Sequence, residues 1–186
     1  MSFPKAYADR VAKLRVPFGF LMIAAFVWLA RPNVCSLLVG LPVSALGLAL
    51  RGWAAGHLEK NLALTESGPY ARVRNPLYLG TLTAAAGLAI AALRWELGVL
   101  FAAVFLLVYL PVVELEEQHL RQIFPGLTQP GFAEYAERVP RLLPRLGGVG
   151  PASKRFKWAG YRHNREYEAL AAFLAAVAVL LWKLLA

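Results

Sequence analysis

Two polar stretches interrupt an otherwise apolar chain, and between them they hold most of the groups that could do chemistry. The first runs from Arg51 to Gly80. At its centre Ser67-Gly68-Pro69-Tyr70 is a turn signature, because glycine permits unusual φ and proline fixes its own. Arg74-Asn75-Pro76 then leads into an apolar helix, and proline suits a first helical turn. Unsatisfied N–H groups and the positive end of the helix dipole suit a carboxylate or phosphate there, and Arg74 adds a full charge. A second reading stays open: Arg74 as a contact to lipid phosphate, with Tyr70 and Tyr78 as interfacial aromatics.

The second stretch runs from Glu114 to Pro144. Glu114 and Glu117 lie three apart and share a helix face, while Glu116 points elsewhere. Carboxylates at a helix C-terminus oppose the dipole, and that unfavourable placement asks for a reason. They could bind a cationic ligand, hydrogen-bond ribose hydroxyls or take up a proton. For Glu117 an ordinary i, i+4 pair with Arg121 is equally open.

Other signals are weaker. His57, His119 and His163 are scattered without metal-ligand spacing, so no metal site is expected. The single cysteine, Cys35, forms no internal disulfide or thiolate cluster. Gly147-Gly148-Val149-Gly150 follows no strand and lacks the Lys-Ser or Lys-Thr of a phosphate loop, so it reads as a linker. Lys154 to Arg165 is basic and aromatic, as expected of a juxtamembrane anchor to anionic lipid.

The elements that must position these groups are membrane spans. Of the 186 residues 59% are hydrophobic, and mean hydropathy is +0.51, too apolar for a soluble domain to cover itself. Five apolar segments are expected, at 16–30, 34–56, 77–93, 97–115 and 170–185, against the ~20 residues a bilayer requires. The first is short, and its charged, amphipathic start can extend it upstream. No small-residue cleavage site follows it, so it is not read as a removable signal peptide. Arg31-Pro32-Asn33 predicts a tight turn and a helical hairpin. Gly80, Ala84, Gly87 and Ala91 recur at helical spacing, a packing signal in lipid. Pro42 and Pro111 fall inside spans and are candidates for kinks.

A net charge of +9 and a pI near 10.1 would suggest nucleic acid for a soluble protein. Here the charges lie between apolar runs, so membrane lipids are the expected partner and nucleic acid is not. With five spans and the amino terminus inside, sixteen of the twenty Lys and Arg fall on the cytoplasmic side, as the positive-inside rule requires.

Taken together, Arg51, His57, Gly68-Pro69-Tyr70 and Arg74-Asn75-Pro76-Leu77-Tyr78-Leu79-Gly80 form one pattern. Glu116-Glu117, Phe124, Tyr135, Val139-Pro140-Arg141 and Pro144 follow in order. The pattern resembles the isoprenylcysteine carboxyl methyltransferase and phospholipid methyltransferase superfamily of integral membrane enzymes, over roughly residues 47–147. The resemblance implies an all-α, multi-pass transmembrane bundle with an S-adenosylmethionine pocket at its cytoplasmic edge. Residues 1–150 would be the methyltransferase core, and 151–186 a basic linker with an additional span. Carried over by position, Leu62, Leu64, Tyr70, Asn75, Pro76, Leu77 and Tyr78 would contact the cofactor, with His57 near a further contact. Glu116 would hold the cofactor, and Tyr135 and Val139-Pro140-Arg141 would help close the pocket. Two positions depart from the family: Asn75 stands where histidine is common, and Leu110-Pro111-Val112-Val113 lacks the arginine that binds a prenylcysteine carboxylate.

The resemblance implies direct methyl transfer to a lipophilic acceptor: an isoprenoid, a lipid or a prenylcysteine-like group, with the arginine departure arguing against the last. An amine or hydroxyl acceptor needs a base, for which Glu117 is the candidate, and Arg74 would orient an anionic group. Two rival readings are an NADPH-dependent membrane lipid or steroid reductase and a non-enzymatic membrane scaffold.

Overall fold

The computed structural model describes residues 3–60, 62–126, 131–145 and 155–186. The glycine-rich linker at 147–150 and Lys154 lie outside them. Eight α-helices account for most of these residues: α1 Lys5–Leu29, α2 Val34–Ala55, α3 Pro76–Ala91, α4 Trp95–Val104, α5 Leu110–Ile123, α6 Phe132–Arg138, α7 Trp158–His163 and α8 Tyr167–Leu185. Among the described residues there is no strand.

The protein is a helical membrane bundle. Among the described residues four helical stretches are long and apolar enough to cross a bilayer: Ala6–Leu29, Val34–Ala55, Trp95–Ile123 and Tyr167–Leu185. Large apolar side chains on them, such as Phe20, Trp28, Leu38 and Leu174, are exposed, as lipid-facing groups are where tails rather than water solvate them. The start of the chain does extend the first span upstream of residue 16, to Ala6, within a helix that begins at Lys5. The third expected span is shorter than the rest. α3 has 16 residues, a rise of about 24 Å against a hydrocarbon thickness of ~30 Å. Pro76 bounds it at one end, and Leu93, in the left-handed region at φ 54°, stops it at the other.

The chain divides into two compact units. One comprises Met1–Leu46, Leu82–Glu117 and Ala172–Ala186. Its α1–α2 connection is the expected tight turn, closed by a reciprocal cap. Asn33 Oδ1 accepts the Ser36 N–H at 2.7 Å, and Ser36 Oγ accepts the Asn33 N–H at 3.0 Å. Small residues then let α2 and α3 approach closely. A Cβ on Gly87 would stand 2.4 Å from the Ser44 nitrogen, and Ser44 Oγ donates to the Ala84 carbonyl at 2.8 Å. Phe26, Leu37, Leu97 and Leu180 pack with four alanines into a core cluster. Lys183 Nζ donates to the Ala30 carbonyl at 2.9 Å, a cation at the end of α1 where the dipole favours one.

Between α4 and α5 lies one π-helical turn, Phe105–Tyr109. Pro111 offers no N–H to the carbonyl four residues back, that of Leu107. The Tyr7 hydroxyl donates to that carbonyl at 2.8 Å. The helix therefore runs on past its proline with a wider turn and a borrowed donor.

The other unit comprises Gly47–Thr81 and Gln118–Ala171. Phe132, Tyr135 and Val139 are buried there, with Leu64, Leu120 and Phe124 packed against them.

Candidate functional site

Within this second unit the turn before α3 is built first. Gly68 sits at φ +61°, in the left-handed region that favours glycine. A Cβ there would meet the His57 ring at 2.8 Å. His57 is buried, and its Nδ1 lies 2.9 Å from the Trp53 carbonyl. A carbonyl only accepts, so Nδ1 carries the proton and Nε2 faces Gly68. His57 is thus placed beneath the turn. Pro69 and Tyr70 continue it as a buried 3-10 turn. Ser67 Oγ, at its head, is buried with no hydrogen-bond partner among the described residues.

The segment α6 to Arg145 secures the turn from the far end of the sequence. Tyr135 Oη donates to the Tyr70 carbonyl at 2.8 Å. The Arg74 N–H donates to the Pro140 carbonyl at 2.9 Å, and Asn75 Nδ2 to the Arg141 carbonyl at 3.3 Å. The Arg145 N–H returns to the Arg72 carbonyl at 3.0 Å. Two guanidiniums, of Arg74 and Arg121, stand 6.0 and 5.3 Å from the centre of the Phe132 ring, within cation–π range. Outside the turn, Arg138 pairs with Glu66 at 2.8 Å.

The first turn of α3 has a second brace. Arg51 makes a forked pair with Glu166, at 3.0 Å from Nε and 2.8 Å from Nη2. Its Nη1 donates to the Leu77 carbonyl at 3.3 Å and to Thr81 Oγ1. A Cβ on Gly80 would meet the Arg51 side chain at 2.6 Å, so that glycine leaves room for the approach.

The residues expected at the site are therefore distributed as follows. Arg74, Asn75, Pro76, Leu77 and Tyr78 form the entry to α3, with Tyr70 and Leu64 held beside it through Tyr135 and the α6 cluster. Leu62 is 86% exposed. The glutamates belong to the first unit, at its boundary. There the helical phase is as expected: Glu114 and Glu117 are buried and Glu116 is exposed. Glu114 Oε2 is buried without a hydrogen-bond partner among the described residues. Glu166 and Ser67 were not among the expected residues. A signal for Glu166 was present, since Arg51 inside an apolar span needs a counter-charge. Among the described residues no group of three or more His, Cys, Asp or Glu side chains is placed to hold a metal ion.

The arrangement is a helix N-terminus carrying a cation and an amide, clamped from both sides, with a buried hydroxyl at the head of the turn that precedes it. Such a donor set suits a ligand with a carboxylate and hydroxyls.

Comparison with known proteins gives a family model, described as phospholipid methyltransferase, that matches residues 15–126. The chain is similar to the cobalt-zinc-cadmium resistance protein CzcN of Cupriavidus metallidurans, 36% identical over 117 residues, 61% of this chain and 52% of that protein. It is also similar to the nickel-cobalt-cadmium resistance protein NccN of Alcaligenes xylosoxydans xylosoxydans, 29% identical over 121 residues, 64% of this chain and 53% of that protein. The chain spans about half the length of the curated relatives it matches. No solved structure matches significantly.

Proposed function

The chain belongs to the phospholipid methyltransferase family, and from that premise we propose that it transfers a methyl group from S-adenosylmethionine to a lipophilic acceptor in the membrane. The observation that carries this reading is the clamped entry to α3, where the Arg74 backbone and the Asn75 amide are tied to Pro140 and Arg141 at the start of the helix, after a turn headed by Ser67, whose buried hydroxyl has no partner among the described residues. The donor set fits the cofactor. Arg74, the Asn75 amide and the α3 N-terminus would take its carboxylate. Ser67 Oγ would take a hydroxyl, and Tyr70, Leu77 and Tyr78 would supply apolar and aromatic walls.

When bound, S-adenosylmethionine supplies an electrophilic methyl group on a sulfonium. The chain's own residues then have three tasks. His57 and Tyr135 hold the turn, and Arg51 and Glu166 hold the first turn of α3, so the binding groups are set before ligand arrives. The apolar spans exclude water from the reacting atoms and admit a lipid laterally. Glu117 would take the proton of an amine or hydroxyl acceptor, while Glu116 would contact the cofactor. In this reading the amino terminus and the cofactor site face the cytoplasm, on the side that carries most of the basic residues.

The test is calorimetric titration of detergent-purified protein with S-adenosylhomocysteine. Wild type should bind, Arg74→Ala should bind at least about tenfold more weakly, and Glu117→Gln should bind normally but lose turnover on an amine or hydroxyl acceptor. Folded wild type that takes up no ligand, with lipid present, would sink the reading.

A further inference from the structure

A second site lies beyond the turn. A cleft of about 450 Å³ opens between the residues after α2 and the segment containing α7. Lys60, Arg155, Lys157 and His163 line it with His57, and Glu59 is the one carboxylate among the described lining residues. Glu59 is already matched by Lys157, at 2.8 Å. The cleft thus keeps a cationic surplus from Lys60 and Arg155, both exposed and able to turn toward an anion. Its volume is that of a small-ligand site. Its walls are fixed: the Lys157 N–H donates to the Gly56 carbonyl at 2.9 Å, and Asn164 Nδ2 to the Ala55 carbonyl at 3.0 Å. A Cβ on Gly160 would meet the Ala55 carbonyl at 2.9 Å, so the two walls meet at backbone contact.

The depth of the cleft is also fixed by the chain. It begins where the spanning helix α2 ends at Ala55 and finishes just before α8 starts at Tyr167. Trp158 on the same segment is 71% exposed, as indoles are at the membrane–water interface. The basic groups therefore stand at headgroup level.

We propose that this cleft binds the phosphate of an anionic lipid headgroup, at a place separate from the entry to α3. Arg155 offers a planar fork and Lys60 a point charge, the two ways side chains bind phosphate. Residues 155–163 lie outside the matched stretch 15–126, and none of residues 70–78 lines the cleft. The proposal does not depend on methyl transfer.

The experiment uses the full chain in neutral detergent and native mass spectrometry. The probes are dioctanoyl phosphatidylglycerol, dioctanoyl phosphatidylcholine and glycerol 3-phosphate. Phosphatidylglycerol should bind saturably, and Lys60→Gln with Arg155→Gln should weaken it by roughly tenfold or more. Arg10→Gln with Lys13→Gln, a basic pair on α1, should leave it unchanged. Weak binding of glycerol 3-phosphate assigns the phosphate to lipid, whereas equally tight binding keeps the phosphate site and assigns it to a soluble ester. Equal retention of phosphatidylcholine, binding unaltered in the double variant, or displacement by S-adenosylhomocysteine would each overturn the proposal. The last would mean that His57 and Leu62 line a cofactor pocket here.

Discussion

At Gly68 two constraints coincide. Its φ of +61° lies where a side chain is strained, and the His57 ring occupies the place a Cβ would take. Gly68→Ala should therefore cost about 1–3 kcal/mol, read as a lower unfolding midpoint in detergent. Adding His57→Ala vacates the space but leaves φ unchanged, so the double variant should recover only part of the loss. A Gly68→Ala protein that unfolds with wild type would refute this account. The turn itself was legible from Gly-Pro in the sequence. The task of His57 was not, because a ring packed against backbone eleven residues away is a tertiary contact with no local pattern. Glu114, Glu116 and Glu117 show the reverse case: helical phase alone separates their buried and exposed faces.

At the scale of elements, proline decides how the long helix Trp95–Ile123 is built. Pro111 marked a candidate kink in the sequence, but not the remedy. That remedy is a π turn at Phe105–Tyr109 and a hydroxyl from α1 on the Leu107 carbonyl. Tyr7→Phe removes only that donor and keeps the ring. It should lower stability by about 1 kcal/mol, measured by thermal unfolding, with a larger loss in Tyr7→Ala because packing goes as well. An unchanged midpoint for Tyr7→Phe would mean that water or lipid satisfies the carbonyl equally well. The spans and the α1–α2 hairpin were readable because apolar runs and turn residues are local. The shortness of α3 was less so. Its apolar run continues to Leu93, and only the left-handed backbone at that residue shows where the helix stops.

On the scale of the whole chain, residues 155–186 lie beyond the matched stretch and yet supply partners to it. Within one unit Lys183 caps the carbonyls that end α1. Within the other Glu166 neutralises Arg51. This pairing spans 115 positions, so the sequence could show only that Arg51 needed a counter-charge, and not which acid supplies it. The pair is largely buried, with side-chain exposures of 23% and 6%. Desolvation then offsets much of its attraction, and its worth lies chiefly in what remains if one member is lost. Glu166→Leu alone leaves a guanidinium near the Leu77 carbonyl and Thr81 with its main partner gone, and should be strongly destabilising. In an Arg51→Met background the same change should cost less, because no charge is left unmatched. The expected coupling between the two substitutions is about 1–3 kcal/mol, from unfolding midpoints of the two single variants, the double variant and wild type. Additive effects would show that Glu166 acts through packing alone. A large coupling, accompanied by weaker S-adenosylhomocysteine binding in Glu166→Leu, would show that this acid, outside the matched region, positions the first turn of α3 through Arg51.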